Sequence, residues 1–68
     1  MKVEIFFKEG RKLIINAAHV DITNYFDKFN GYVLDVAGEE HYLDNRNDIN
    51  LIYVDGELEY ESANFQRI

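Results

Sequence analysis

His19 and His41 are the only imidazoles in this 68-residue chain, and each lies near carboxylates that could share a cation with it. A zinc-type site would require both rings to converge with Asp21, Glu39 or Glu40. His19 precedes a strand-like run and His41 belongs to a different hairpin, so surface or core-edge histidines are the expected reading and no metal is assigned. Nucleophilic catalysis lacks its parts as well. Thr23 and Ser62 are the only hydroxyl residues besides the tyrosines, neither has an evident base, and there is no cysteine. No catalytic residue and no cofactor is therefore expected, and the chain does not read as an enzyme. Asp44-x-Arg46-x-Asp48 echoes an oxygen-ligand calcium loop, but Arg46 stands where an acceptor is required and the loop glycine and distant glutamate are missing. It reads as a polar turn. The four glycines are scattered, so no phosphate-cradling loop is present.

Two sets of side chains remain that could meet a partner. Glu57, Glu59 and Glu61 alternate along one segment, and a strand would space same-face side chains ~6.6–7 Å apart, close to twice the per-strand rise of DNA. With Asp55 added, such a ridge could imitate a nucleic-acid strand. The plainer reading, a solvated edge strand whose glutamates discourage edge pairing, is preferred. The second set is apolar. Phe6 and Ile14 fall on the less buried face of the first hairpin, where Tyr42 could join them as an association patch.

The elements that must carry these residues are hairpins. Glu9-Gly10, Gly38-Glu39 and Asp55-Gly56 each separate runs of alternating apolar and polar residues. With Gly10 left-handed in a three-residue loop, Val3 lies opposite Ile15 and Ile5 opposite Leu13. A two-residue turn at Gly38-Glu39 pairs Leu34 with Leu43 and Val36 with His41, so that Tyr32, Leu34, Val36 and Leu43 form the inner stripe. Asp55-Gly56 favours a type I′ turn with Tyr53 opposite Leu58 and Leu51 opposite Tyr60.

Residues 17–31 are open to two readings. One is a short strand at Val20 to Ile22 followed by a short helical turn near residues 23–30 that gathers Tyr25, Phe26 and Phe29. The other, slightly favoured, is a strand from Tyr25 to Phe29 with Asn30-Gly31 as a hairpin turn. Asn47 or Asp48 is expected to cap a single turn that drops Ile49 into the core.

The fold expected is mainly β: a small antiparallel barrel or curved sheet of five to six strands. Residues 1–62 form a single domain, and 63–68 form a C-terminal tail that either docks Phe65 or frays. The expected core is Val3, Ile5, Leu13, Ile15, Leu34, Val36, Leu43, Ile49, Leu51 and Leu58.

Ten aromatic residues and no proline suit strands. Without cysteines, neither disulfides nor thiolate zinc can supplement a core that rarely supplies more than ~3–5 kcal/mol at this size. Thirteen acidic residues against seven basic ones give a net charge of −6, which disfavours direct binding of nucleic acid. The N-terminal apolar run is too short for a signal peptide and no segment reaches membrane-spanning length, so a cytoplasmic protein without membrane contact is expected.

The segment Met1-Lys2-Val3-Glu4-Ile5-Phe6-Phe7-Lys8-Glu9-Gly10-Arg11-Lys12-Leu13-Ile14-Ile15 resembles the opening hairpin of ubiquitin-like β-grasp proteins, down to the bulge glycine. The likeness stops there, since the long amphipathic helix and diglycine tail of that family are absent. Residues 32–54, with Gly-Glu-Glu-His-Tyr-Leu and then Asn47-Asp48-Ile49-Asn50-Leu51-Ile52-Tyr53-Val54, look like short uncharacterised β-rich proteins of bacteria and their phages. That resemblance implies a small β domain of viral or prophage source and supplies no activity. The functional expectation is a non-enzymatic interaction or assembly module, self-associating as a homodimer. The rival is a phage-type acidic inhibitor that occupies the basic groove of a DNA- or RNA-binding protein.

Overall fold

The computed structural model describes residues 1–25 and 28–62. They form six strands: β1 (Lys2–Phe7), β2 (Lys12–Tyr25), β3 (Lys28–Asp35), β4 (Glu40–Asp44), β5 (Ile49–Val54) and β6 (Glu57–Glu61), with one 3₁₀ turn at Asn45–Asn47. The sheet order is β4-β3-β2-β1-β5-β6, every neighbouring pair antiparallel. Among the described residues no helix is long and apolar enough to cross a membrane.

The curl of this sheet originates in β2. Its first part, Lys12 to Asn16, pairs with β1, whereas from Ala17 onward it pairs with β3 on the opposite edge. The register slips between Ala17 and His19, and such an extra residue bends a strand and increases its twist. The two halves of the sheet therefore turn toward each other. Phe29 of β3 and Tyr60 of β6 meet across the gap as stacked rings 4.1 Å apart. Around that pair the core contains Val3, Ile5, Ile15, Ala17, Val33, Ile49 and Ile52, with Phe7, Val20, Ile22, Leu43 and Val54 packed at its margin.

The first hairpin has the expected register, with Val3 opposite Ile15 and Ile5 opposite Leu13. Asp55-Gly56 forms the expected type I′ turn, both residues having positive φ (50° and 83°). The middle hairpin differs. Asp35 Oδ1 accepts hydrogen bonds from the backbone N–H of Ala37 and of Glu39, both at 2.9 Å, which centres the turn on Val36-Ala37. Gly38, at φ 91°, then supplies the left-handed bulge position, so the loop has the form of that at Gly10. Val33 consequently faces His41, Gly31 faces Leu43 and Leu34 faces Glu40. The register thus differs from the expected one by three residues, and a shift by an odd number exchanges the two faces of a strand. Val33 is fully buried, and Val36 is 71% exposed on the turn.

The described residues of 17–31 are extended, in keeping with the favoured reading, but the single strand expected from Tyr25 to Phe29 is divided between β2 and β3, and Asn30-Gly31 is not its turn. Thr23 pairs with Asn30 and Tyr25 with Lys28, so Gly31 lies within β3 between Ile22 and Leu43. A Cβ on Gly31 would stand 3.3 Å from Leu43 Cβ and 3.4 Å from Phe29 Cζ, which explains a glycine inside a strand. The described part of residues 23–30 is extended rather than helical. Phe26 and the tail from 63 to 68, Phe65 included, lie outside the described residues.

Of the expected core, Val3, Ile5, Ile15 and Ile49 are buried and Leu43 packs at the margin. Leu13 points to the inner side, opposite Ile5, but β3 does not extend alongside it, and it stays 38% exposed. A second register slip, between Ile52 and Tyr53, puts Ile52 rather than Leu51 opposite Tyr60 and leaves Leu58 on the outside at 46%. Leu34 and Leu51 are only half-buried.

These placements lead to a measurable contrast. Ile52→Ala should cost about 2–5 kcal/mol, most of what a core of this size supplies, whereas Val36→Ala should change stability by less than about 0.5 kcal/mol. Urea titration followed by circular dichroism distinguishes the two, and equal losses would refute the register of β3.

Candidate functional site

The outer face of β6-β5-β1-β2 is built from two cross-strand rows. Leu58, Tyr53, Glu4 and Ile14 lie opposite one another in one, and Glu61, Leu51, Phe6 and Lys12 in the other. Phe6 meets Tyr53 edge-on at 5.8 Å, and Lys12 Nζ lies 5.1 Å above the Phe6 ring while pairing with Glu4 at 2.9 Å. The hydrogen bond from Lys12 holds the Glu4 carboxyl below its ordinary pKa. Phe6 and Ile14 thus share a face, as the sequence suggests. Tyr42 does not join them. It sits on the outer face of β4 beside Tyr32, with ring centres 5.3 Å apart. The Tyr32 hydroxyl donates to Glu40 at 2.8 Å, which raises its own pKa.

Beside Ile14 runs a feature that periodicity does not reveal. Arg11 accepts from Phe7 N–H, and Ala17 exchanges both backbone bonds with Met1. The odd-numbered residues of this part of β2 therefore direct their N–H and C=O groups to β1, and the even-numbered ones direct theirs away. On that far side the carbonyl of Asn16 accepts from Val36 N–H at 3.0 Å. β3 does not pair with β2 before Ala17, so among the described residues nothing pairs with the outward backbone groups of Lys12 and Ile14, which present an open edge. Next to it lies a depression of about 280 Å³ bordered by Leu13, Ile14, Val36, Ala37 and His41.

Among the described residues one group of three histidine and carboxylate side chains converges, Asp35, Glu39 and His41, whose candidate ligand atoms lie within 4.8 Å of one another. The sequence names Glu39 and His41 as candidate ligands and gives Asp35 no role, because the turn expected at Gly38-Glu39 lies two residues beyond the Val36-Ala37 turn that brings Asp35 against His41. His41 Nε2 is 3.1 Å from Asp35 Oδ2, and the other oxygen of Asp35 holds the turn. The hydrogen bond with His41, followed by that from Glu39 N–H, keeps the Asp35 carboxyl below its ordinary value of 3.8. These groups fasten a hairpin. His19 lies apart on the outer face, 6.0 Å from the Tyr32 ring, so the two histidines do not converge.

Asp44-Arg46-Asp48 is a capped turn. Asp44 accepts from Arg46 N–H and pairs with its guanidinium at 2.7 Å, which lowers the Asp44 pKa, while Asp48 closes the turn in the left-handed region at φ 54°. Asp44 is its N-cap and Asp48 its C-cap, so Asp48 caps the turn that leads into the buried Ile49, as the sequence suggests. The Asp44 carboxylate is committed to Arg46.

The carboxylates of β6 do not make one row. Glu57 lies opposite Val54 and Glu61 opposite Leu51, and the slip between these pairs sets them on opposite faces. Glu59 falls at the slip and borders a second depression with Met1, Val20, Ile22 and Val54. Asp55 Oδ1 accepts from Lys2 N–H at 2.9 Å, so that carboxylate anchors the turn to β1.

No family model, curated protein or solved structure matches the chain.

A carboxylate whose folded pKa is lowered contributes stability that is present above its unfolded value and lost as the pH falls toward the folded one. Asp35, Asp44 and Glu4 all act in this direction. The melting temperature should hold from pH 7 down to the ordinary carboxylate range and drop below it. In Asp35→Asn it should be lower at pH 7 and fall less between pH 7 and pH 2. Parallel curves for the two proteins would exclude Asp35 as a contributor.

Proposed function

We propose that this chain is a non-enzymatic interaction module that works by associating with a second copy of itself. One observation carries the reading. Leu13, Ile14 and Val36 leave 38%, 51% and 71% of their surface in water around a single depression, beside a strand edge that has no partner among the described residues. In a chain too small to enclose a large core, covering such a patch supplies burial that the fold alone lacks.

Charge supports the same surface. Residues 1–16 contain four basic and two acidic side chains, whereas residues 17–68 contain three basic and eleven acidic ones. Two copies approaching through their acidic parts repel each other strongly, and the first hairpin, with a surplus of two positive charges, is the region where that repulsion is weakest.

The rival reading, an acidic mimic of nucleic acid, draws on the same surplus of carboxylates. It is weakened by the division of Glu57 and Glu61 between two faces and by the engagement of Asp55 with Lys2. Salt separates the two, since mimicry depends on charge and should fade as ionic strength rises, whereas apolar association should not.

Light scattering should give a mass near twice the 8.0 kDa of one chain, changing little between low and high salt. A monomer at every concentration up to about 1 mM would put any association weaker than about 4 kcal/mol and overturn the reading.

A further inference from the structure

Resting on the self-association reading, we propose that two copies join by antiparallel pairing of their β2 edges across Lys12–Ile14, about a two-fold axis beside Leu13. Lys12 and Ile14 both direct their backbone groups away from β1, as the bonds of Arg11, Ala17 and Asn16 establish. With the axis at Leu13, Lys12 of one copy lies opposite Ile14 of the other. Each such pair exchanges two N–H···O=C bonds, so two residues per copy give four bonds. Two-fold symmetry demands a self-complementary patch, and this edge is one.

The other free edges are less suited. β6 combines the register slip near Glu59 with Glu57, Glu59 and Glu61, devices that turn an edge away from pairing. In β4 the N–H of Asp44 is taken by Asn47 Oδ1, and Glu40 and Asp44 flank the exposed Tyr42. Within the paired stretch Lys12–Ile14, by contrast, the one cation is Lys12, already paired with Glu4, and it would face Ile14 of the partner rather than another charge.

The same pairing covers the apolar patch. Leu13 would lie directly opposite its own copy, and the incoming strand would occupy the depression between β2 and the turn at Val36-Ala37. The partner's Gly10 would come beside Asn16, whose outward carbonyl is already bonded to Val36, and a residue without a side chain fits where the pairing must stop.

The decisive variant is Ile14→Pro. Its lost N–H is one that points away from β1, so the internal ladder stays intact while two of the four intermolecular bonds disappear. The dissociation constant should rise about 100-fold, at roughly tenfold per bond, with the circular dichroism spectrum unchanged. In a mixture of ¹³C-labelled and unlabelled wild-type chains, an isotope-filtered Overhauser contact between the two Leu13 Hα atoms should appear, because Cα atoms of a non-hydrogen-bonded pair lie ~4.5 Å apart.

A dimer that survives Ile14→Pro with unchanged affinity would refute β2 pairing while leaving self-association in place. A wild-type monomer would sink both. Should the proline variant fail to fold, the Leu13 contact in the wild-type chain decides: its presence supports the pairing and its absence overturns it.

Discussion

β2 forms hydrogen bonds with β1 as far as Ala17 and, beyond that residue, with β3 on its other edge. A single strand thereby belongs to two ladders, and the extra residue between Ala17 and His19 is where the chain changes from one to the other. The consequences extend through the molecule. The two ladders curl around Phe29 and Tyr60, the small side chain of Ala17 is buried at the crossing, and each half of β2 loses a neighbour where the other half gains one. The open edge at Lys12 and Ile14 is thus a necessary product of the bend that encloses the core.

Turn chemistry then decides which side chains that core receives. The carboxylate of Asp35, through two backbone N–H groups and His41, draws the middle hairpin closed around Val36 and Ala37. The alternation of β3 follows from that choice, with Val33 and Phe29 inside and Tyr32 and Leu34 outside. Gly31 extends the same logic. The inner face of β3 at that level is filled from either side by Leu43 and Phe29, and a side chain there has no room.

The charges are arranged around this frame rather than within it. Ion pairs such as Arg11 with Glu9 and Arg46 with Asp44 lie at the surface, where such pairs contribute little to stability. Their effect is on where another molecule can approach. A basic first hairpin on an otherwise acidic chain leaves one region with weak repulsion between copies, and the same region displays Leu13, Ile14 and Val36.

Alternation of apolar residues and the glycine-bearing turns were enough to establish a mainly β chain, the register of β1 with β2, the I′ turn at Asp55-Gly56, and the burial of Val3, Ile5, Ile15 and Ile49. These depend on local preferences that each short segment carries by itself. The register of β3 and β4 required knowing that Asp35 bonds to N–H groups two and four residues ahead, and the placement of Glu57 and Glu61 required a bulge whose position nothing in β6 announces. The unpaired edge of β2 could not be read from the chain in any form. Which backbone groups are left without partners depends on where every other strand begins and ends, and only the assembled sheet decides that.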